Sequence, residues 1–328
     1  MAFANSSITD IIATTIENRS RKIADNVTAN NAGLSRLKTK GKIKTASGGQ
    51  YIMQELSFAE NANAGWYSGY DILPTAASDV ISAAQFNWKQ CAVPVVISGL
   101  EQLKNSGKEA MLDLMESRLQ VAESTMANLL SDGFYSDGSG SGAKEVDGMA
   151  AAIPLDPTAA AYGGIDGNVF TFWQNQVRNV SGVSAIQTDF LTLCSACTRG
   201  ADRIDLILCD AVVYNGYVAS LQAMHQFTHS NTVDGGFQAI KYNDADVVLD
   251  GGIYSGTSVT GAAGVTTNKA YFLNTNYIFL RPHKDRNMVA LSPNKRYATN
   301  QDAEVQILAW AGNVTCSSRR LQGHLDVA

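Results

Sequence analysis

Between Ser106 and Gly133 apolar side chains return every three or four positions. Met111, Leu114, Met115, Leu119, Ala122, Met126, Leu129 and Leu130 fall on one stripe of a 3.6-residue helix, while Asp113, Glu116, Ser117, Gln120, Glu123 and Asn128 face elsewhere. Ser106 and Glu109 stand at capping-box spacing, where hydroxyl and carboxylate each satisfy a backbone donor of the first turn, and Asp132-Gly133 is a stop signal. The spacing predicts a helix over 107–131. At about 1.5 Å per residue it makes a rod of roughly 37 Å, longer than most helices within a domain. By itself it is a spine or the long core helix of an enzyme.

Before this helix the pattern has period two. QYIMQELSF and SAAQFNWKQCAVPVVIS carry strand-like content, with Phe86 and Trp88 two apart and Val93, Val95 and Ile97 two apart, and Pro94 marks an edge or a bulge. Between them lies a turn-rich stretch with Gly65, Gly69 and Pro74, which reads as the tip of one long hairpin. The tip displays Trp66, Tyr67, Tyr70, Ile72 and Leu73. A lone two-stranded hairpin is marginal in water, so these rings need a surface, either their own domain or a neighbouring subunit; the long flanks favour the neighbour. After the spine, GFYSDGSGSGAKEVDG reads as a junction. VFTFWQNQVRNV and DFLTLCSACTRG follow as helices, RIDLILCD as a strand, AVVYNGYVASLQAM as a helix, and FQAIKYNDADVVLDG and KAYFLNTNYIFLRPH as strands. The tail from Gln301 alternates like a strand and is expected to return beside the spine.

Charge alters this picture through its distribution. Residues 1–49 hold eight basic side chains against three acidic ones, +5 in a chain of net −5. LSRLKTKGKIKTASGG has few core residues and reads as an extended arm ordered only against something else, or as a solvated tail. From Gln50 to Trp88 there is no lysine or arginine, while Glu55, Glu60, Asp71 and Asp79 give −4. An acidic balance argues against a sequence-reading nucleic-acid protein. Five scattered cysteines form no disulfide framework and fit a reducing compartment, and neither a signal peptide nor a membrane-length apolar run is present.

The chemistry on offer is thin. Cys194 and Cys197 form a CxxC and His225 and His229 lie four apart, but the separation is too long for a zinc finger, and the cysteines share a helical stripe with Phe190 and Leu193. The run from Gly138 to Lys144 lacks phosphate-loop spacing, Asp244, Asp246 and Asp250 lack the rest of a calcium loop, and four histidines leave little for a triad. No catalytic residue, cofactor or metal is expected.

The order of parts carries more than any motif: basic arm, hairpin opening GGQYIMQEL, spine, Gly-rich junction, DGMAAAIP, YGGID with FTFWQNQVRN, a mixed α/β stretch, and a close AWAGNVTCSSRRLQG. In this order the chain resembles the major capsid proteins of tailed bacteriophages, across nearly its whole length. The resemblance implies an α+β, Hong Kong 97-like fold with residues 1–48 as N-terminal arm and 49–98 as the E-loop hairpin that overlaps an adjacent subunit. Residues 99–146 with 285–328 would make the peripheral domain, and 147–284 the axial domain. It implies a non-enzymatic shell protein of the virion, assembled in the host bacterial cytoplasm around double-stranded DNA. Its partners would be its own copies in hexamers and pentamers, a portal at one vertex, a scaffolding protein and a decoration protein. The chain departs from well-known members in having no long extension before the arm, so a separate scaffold is expected. It also has no lysine from Gln50 to Trp88, so lysine–asparagine crosslinking from the loop tip is excluded. The inter-subunit residues expected are Trp66, Tyr67, Tyr70 and Leu73 at the tip, with Glu60 and Asp71 meeting Arg36, Lys38, Lys40, Lys42 and Lys44 of a neighbour's arm. An encapsulin-like cargo shell, an α/β hydrolase or transferase, and a receptor-binding or tail protein are the rivals.

Overall fold

A computed structural model of the chain describes residues 31–100, 108–223, 231–232, 238–250, 264–291, 296–297 and 303–327. Arg19, Arg21, Lys22, Ser106, His225 and His229 lie outside these residues, so the capping box and the histidine pair are not described. In chain order, helix α1 spans Ala32–Thr39, strands β1, β2 and β3 span Ile52–Ser57, Ile81–Phe86 and Lys89–Ser98, and the spine α2 spans Lys108–Tyr135. Then come β4 (Gln176–Val180), α3 (Ile186–Ala196), β5 (Leu206–Cys209), α4 (Ala211–Ala223) and the strands β6 (Asn231–Thr232), β7 (Gln238–Tyr242), β8 (Ala245–Leu249) and β9 (Lys269–Leu273). The last stretch holds β10 (Ile278–Pro282), β11 (Val289–Ala290), β12 (Arg296–Tyr297), β13 (Ala303–Cys316) and β14 (Gly323–Val327).

Two sheets build the body. The first gathers on β13: β3 pairs antiparallel along one edge from Ala303 to Gly312, while β12, β11 and β10 share the other. Among the described residues β3 pairs only with β13, which makes it an edge strand, the position where a proline such as Pro94, opposite Ile307, is tolerated. The spine packs on β3, with Leu119, Ala122, Met126, Leu130 and Phe134 buried. Leu129, expected on the same stripe, is exposed. The helix also runs past Gly133 to Tyr135, because burial of Phe134 and Tyr135 outweighs the roughly 1 kcal/mol that an interior glycine costs.

The second sheet has the order β4-β14-β9-β5-β8-β7-β6. Its central strands are buried on both faces, with a division set by the pleat. Leu206 and Leu208 of β5 and Tyr271 and Leu273 of β9 join the core that holds the spine; Ile207, Cys209, Ala270 and Phe272 join the core under α3 and α4. Cys194 and Cys197 lie in that second core, where burial pushes the Cys194 thiol up to about 12 and that of Cys197 higher still. They are the small hydrophobes the stripe suggested.

Three expectations are corrected. Residues 169–180 are not a helix: Thr171–Trp173 makes a single 3-10 turn and β4 pairs in parallel with β14. Trp173 is buried with its Nε1–H on the Tyr162 carbonyl and Asn175 donates to the Pro154 carbonyl, so tertiary partners override the helical spacing. The tail does not return as one piece, since β13 lies beside β3 but β14 enters the second sheet, between β4 and β9. The arm is not wholly extended either. Asn31 caps α1 by accepting from Leu34 N–H at 3.0 Å, and Ala32, Leu34 and Leu37 are buried on the chain's own body.

Two measurements test this packing. A Cβ at Gly312 would sit 2.6 Å from the Arg281 carbonyl oxygen and 2.9 Å from Pro282 Cα. Gly312→Ala is therefore expected to cost at least about 2 kcal/mol in chemical denaturation; an unchanged midpoint contradicts the strand register. Asp250 is hydrogen-bonded to the Tyr135 hydroxyl and to Ala32 N–H, yet burial dominates and pushes its carboxyl up to about 6. The folded state thus keeps this proton where the unfolded chain has released it, so stability falls as pH rises from about 4 through 6. Acidifying from pH 7 to 5 is expected to stabilise the wild type more than Asp250→Asn, by about 1 kcal/mol. Equal pH profiles would refute the assignment.

Candidate interaction site

The hairpin is rooted firmly and ends bare. β1 and β2 pair from Ile52↔Phe86 to Ser57↔Ile81, with Ile52, Leu56, Ala84 and Phe86 facing the core and the alternate residues facing out. It is shorter than expected: β3 belongs to the sheet of β13, so the paired strands end at Phe86. Asn313, fully buried, fixes the exit point. Its Nδ2 donates to the Asn87 carbonyl at 2.9 Å and to Asp147 Oδ2 at 2.7 Å, and its Oδ1 accepts from Asp147 N–H at 3.0 Å. Trp88 Nε1–H reaches the Gly49 carbonyl at 2.8 Å and ties the two feet of the hairpin together.

Beyond Ser57 the chain has no ladder until Ile81. Trp66 and Tyr70 are 105% exposed, Ile72 96%, Tyr67 68% and Leu73 51%, so among the described residues the two most exposed rings find no surface to bury against. Large apolar side chains gathered in this way mark an interaction surface. Asp71 accepts from Ser68 N–H at 2.7 Å and shapes the tip turn, while Glu60 meets Arg199 at 3.7 Å with both side chains in solvent. Ile81 and Met53 add exposed apolar surface along the outer face.

The basic residues are placed differently from the expectation. Arg36 lies 3.3 Å from Asp205 and 3.4 Å from Asp246, and Lys40 lies 2.8 Å from Asp205. Asp205 also accepts from Thr275 N–H and from the Thr275 hydroxyl, each at 2.7 Å. Two of the five bases expected to face a neighbour thus hold α1 onto the chain's own second sheet. Lys38 lines a cavity of about 310 Å³ beneath α1, bounded also by Leu34, Ile43, Phe134 and Trp310. Lys42 and Lys44 stand over Phe279. Neither Asp205 nor Phe279 was legible as a partner, because no local pattern signals pairing across so much sequence. The glycine-rich junction folds around acid, with Ser136 and Ser141 donating to Glu145, which is no place for a phosphate. Among the described residues no group of three metal-ligating side chains occurs, and no helix is long and apolar enough to cross a membrane.

No family model matches the sequence, and no curated protein matches it. Solved structures do. The capsid of cyanophage A-1(L) aligns with a TM-score of 0.64 at 13% identity, covering 88% of this chain and 90% of that one. The capsid of the native GTA particle aligns at 0.55 and 11% identity, covering 90% of each chain. The holo-SrpI encapsulin complex from Synechococcus elongatus aligns at 0.56 and 6% identity, covering 89% of this chain and 86% of that one. At these identities the likeness is one of fold: the chain has the Hong Kong 97-like capsid fold, as its order of parts implied.

Because Trp66 and Tyr70 are fully exposed among the described residues, the double variant Trp66→Ser, Tyr70→Ser is expected to unfold within about 0.5 kcal/mol of the wild type. A loss of several kcal/mol in unassembled subunits would mean that the rings are buried at home.

Proposed function

We propose that this chain is the major capsid protein of a tailed bacteriophage, a non-enzymatic subunit that tiles with its own copies into the icosahedral shell around double-stranded DNA. The observation that carries this reading is the hairpin tip, with Trp66, Tyr67, Tyr70, Ile72 and Leu73 in solvent on a strand pair anchored in the core. Rigid aromatic anchors presented on a fixed stalk are what a buried hot spot requires of one partner. The partner of choice is a second copy, since the fold is that of proteins known from capsid and encapsulin particles. Charge adds a rim to this contact: Glu60 and Asp71 on the tip face basic residues of a neighbour, each exposed pair contributing about 0–1 kcal/mol. Arg36 and Lys40 are occupied inside the chain and are withdrawn from that role. On this reading the protein resides in the virion, is assembled in the bacterial cytoplasm, and meets a scaffolding protein, a portal, a decoration protein and DNA. A cargo shell is the second reading, favoured by the likeness to the encapsulin complex.

Electron microscopy of the expressed chain, alone and with its neighbouring gene products, is expected to give closed particles or rings. Trp66→Ala is expected to leave subunits folded but to abolish those particles. Normal particles from the variant, or a wild type that stays monomeric under every condition, would refute the reading. Nuclease-protected DNA in particles from the native source separates a phage head from a cargo shell holding protein.

A further inference from the structure

The arm after α1 runs along the edge of β10 as an added parallel strand. Lys44 N–H donates to the Leu280 carbonyl at 2.9 Å, Leu280 N–H to the Lys42 carbonyl at 3.2 Å, and Ala46 N–H to the Pro282 carbonyl at 2.9 Å. Period two then sorts the side chains. Ile43 packs against the main core, and Lys42 and Lys44 share the opposite face. There they meet Arg281, and all three cations surround one ring: Lys42 Nζ lies 5.4 Å, Lys44 Nζ 5.1 Å and Arg281 Cζ 5.5 Å from the Phe279 centroid.

Each contact with the ring is worth about 0.5–1 kcal/mol at a partly exposed site, but the three like charges repel one another over distances comparable with the Debye length of about 8 Å. Among the described residues no ion pair engages Lys42, Lys44 or Arg281, and the one carboxylate felt by Arg281 is that of Glu55 at the hairpin base. Arg281 gives one Nη2 hydrogen bond to Gln54 at 2.7 Å, and its Nε–H has no acceptor. In a chain of net charge −5 this is a local concentration of positive charge on a rigid surface.

We propose that Lys42, Lys44 and Arg281 form a contact for backbone phosphates of nucleic acid, without base specificity. Phe279, 9% exposed, is the floor of the patch and offers no face for a base to stack on. The three heads come from two adjacent strands and gather over one ring, and such a concentration of like charge suits a uniformly charged polyanion better than one acidic peptide. A shell subunit would use it to hold packaged DNA at a few points while the acidic remainder keeps the rest of the polymer mobile. That use rests on the capsid reading; the binding itself does not.

The test is fluorescence anisotropy of a labelled duplex of about 20 base pairs with unassembled full-length subunits, between 50 and 200 mM salt. The wild type is expected to bind, and Lys42→Ala with Lys44→Ala to weaken binding at least about tenfold at the lowest salt. The double variant is also expected to lower the slope of log K against log salt by about 1.8. Arg203→Ala, on an exposed arginine at the far sheet, is the control and changes neither quantity. Absence of wild-type binding, an unchanged slope in the double variant, an equal loss in the control, or binding of poly-glutamate but not of the duplex each overturns the proposal. Particle formation is scored separately, so a chain that binds DNA yet never assembles would remove the capsid reading and leave this contact standing.

Discussion

Strand β13 is the constraint on which the rest of the body depends. Fourteen residues long, it is hydrogen-bonded along one edge by β3 and along the other, in succession, by β12, β11 and β10. Both edges being occupied, its register cannot slip without breaking ladders on two sides and turning Leu308, Trp310 and Val314 out of the core. At Gly312, where β3 ends and β10 begins, the neighbouring backbone comes so close that only a hydrogen fits. One residue further, Asn313 spends its side-chain amide on the hairpin exit and on the junction after the spine. The positions of hairpin, spine and second sheet are thus referred to a few consecutive residues of one strand.

The second tie is the arm helix. Asn31 bonds Ser131 of the spine at 2.7 Å, the Phe134 ring lies over Gly33, and Arg36 and Lys40 reach the ends of β5 and β8. Exposed ion pairs contribute little, but these are partly buried and converge on Asp205, whose other bonds go to Thr275. Asp205 is therefore costly to leave unpaired, and that cost holds α1 in place. The helix bridges the two sheets from outside, in series with the core they share.

What was legible in the sequence was whatever a local period can encode. The spine, the alternation in β1, β3 and β13, and the stripe bearing Cys194 and Cys197 all follow from spacing that tertiary packing merely completes. The reading failed where a distant partner decided. Residues 176–180 have no strong local preference, and β14 claimed them as a strand. The arm looked too polar to fold, because Leu34 and Leu37 are few and its bases seemed to call for another chain; the acids that take them lie on the far sheet. Of the candidate site, the exposed tip was legible in full as composition. The short reach of its strands was not, since β3 alternates as cleanly as a hairpin strand and only its pairing with β13 separates the two.

The hairpin separates what stabilises the single chain from what it exposes. Among the described residues the hairpin contributes to the core through its base, and the almost wholly exposed Trp66, Tyr70 and Ile72 at the tip add little to the stability of the single chain. Burying each elsewhere is worth about 1.5–3 kcal/mol, whereas association costs about 4–15 kcal/mol in lost freedom. One tip engaged on one neighbour is then close to break-even, and such a contact forms and breaks readily. A subunit that both inserts its tip and receives another doubles the favourable term for roughly one loss of freedom. Under the capsid reading, that inequality makes a closed lattice stable while leaving its pairwise steps reversible, which is what error-free tiling from identical copies requires.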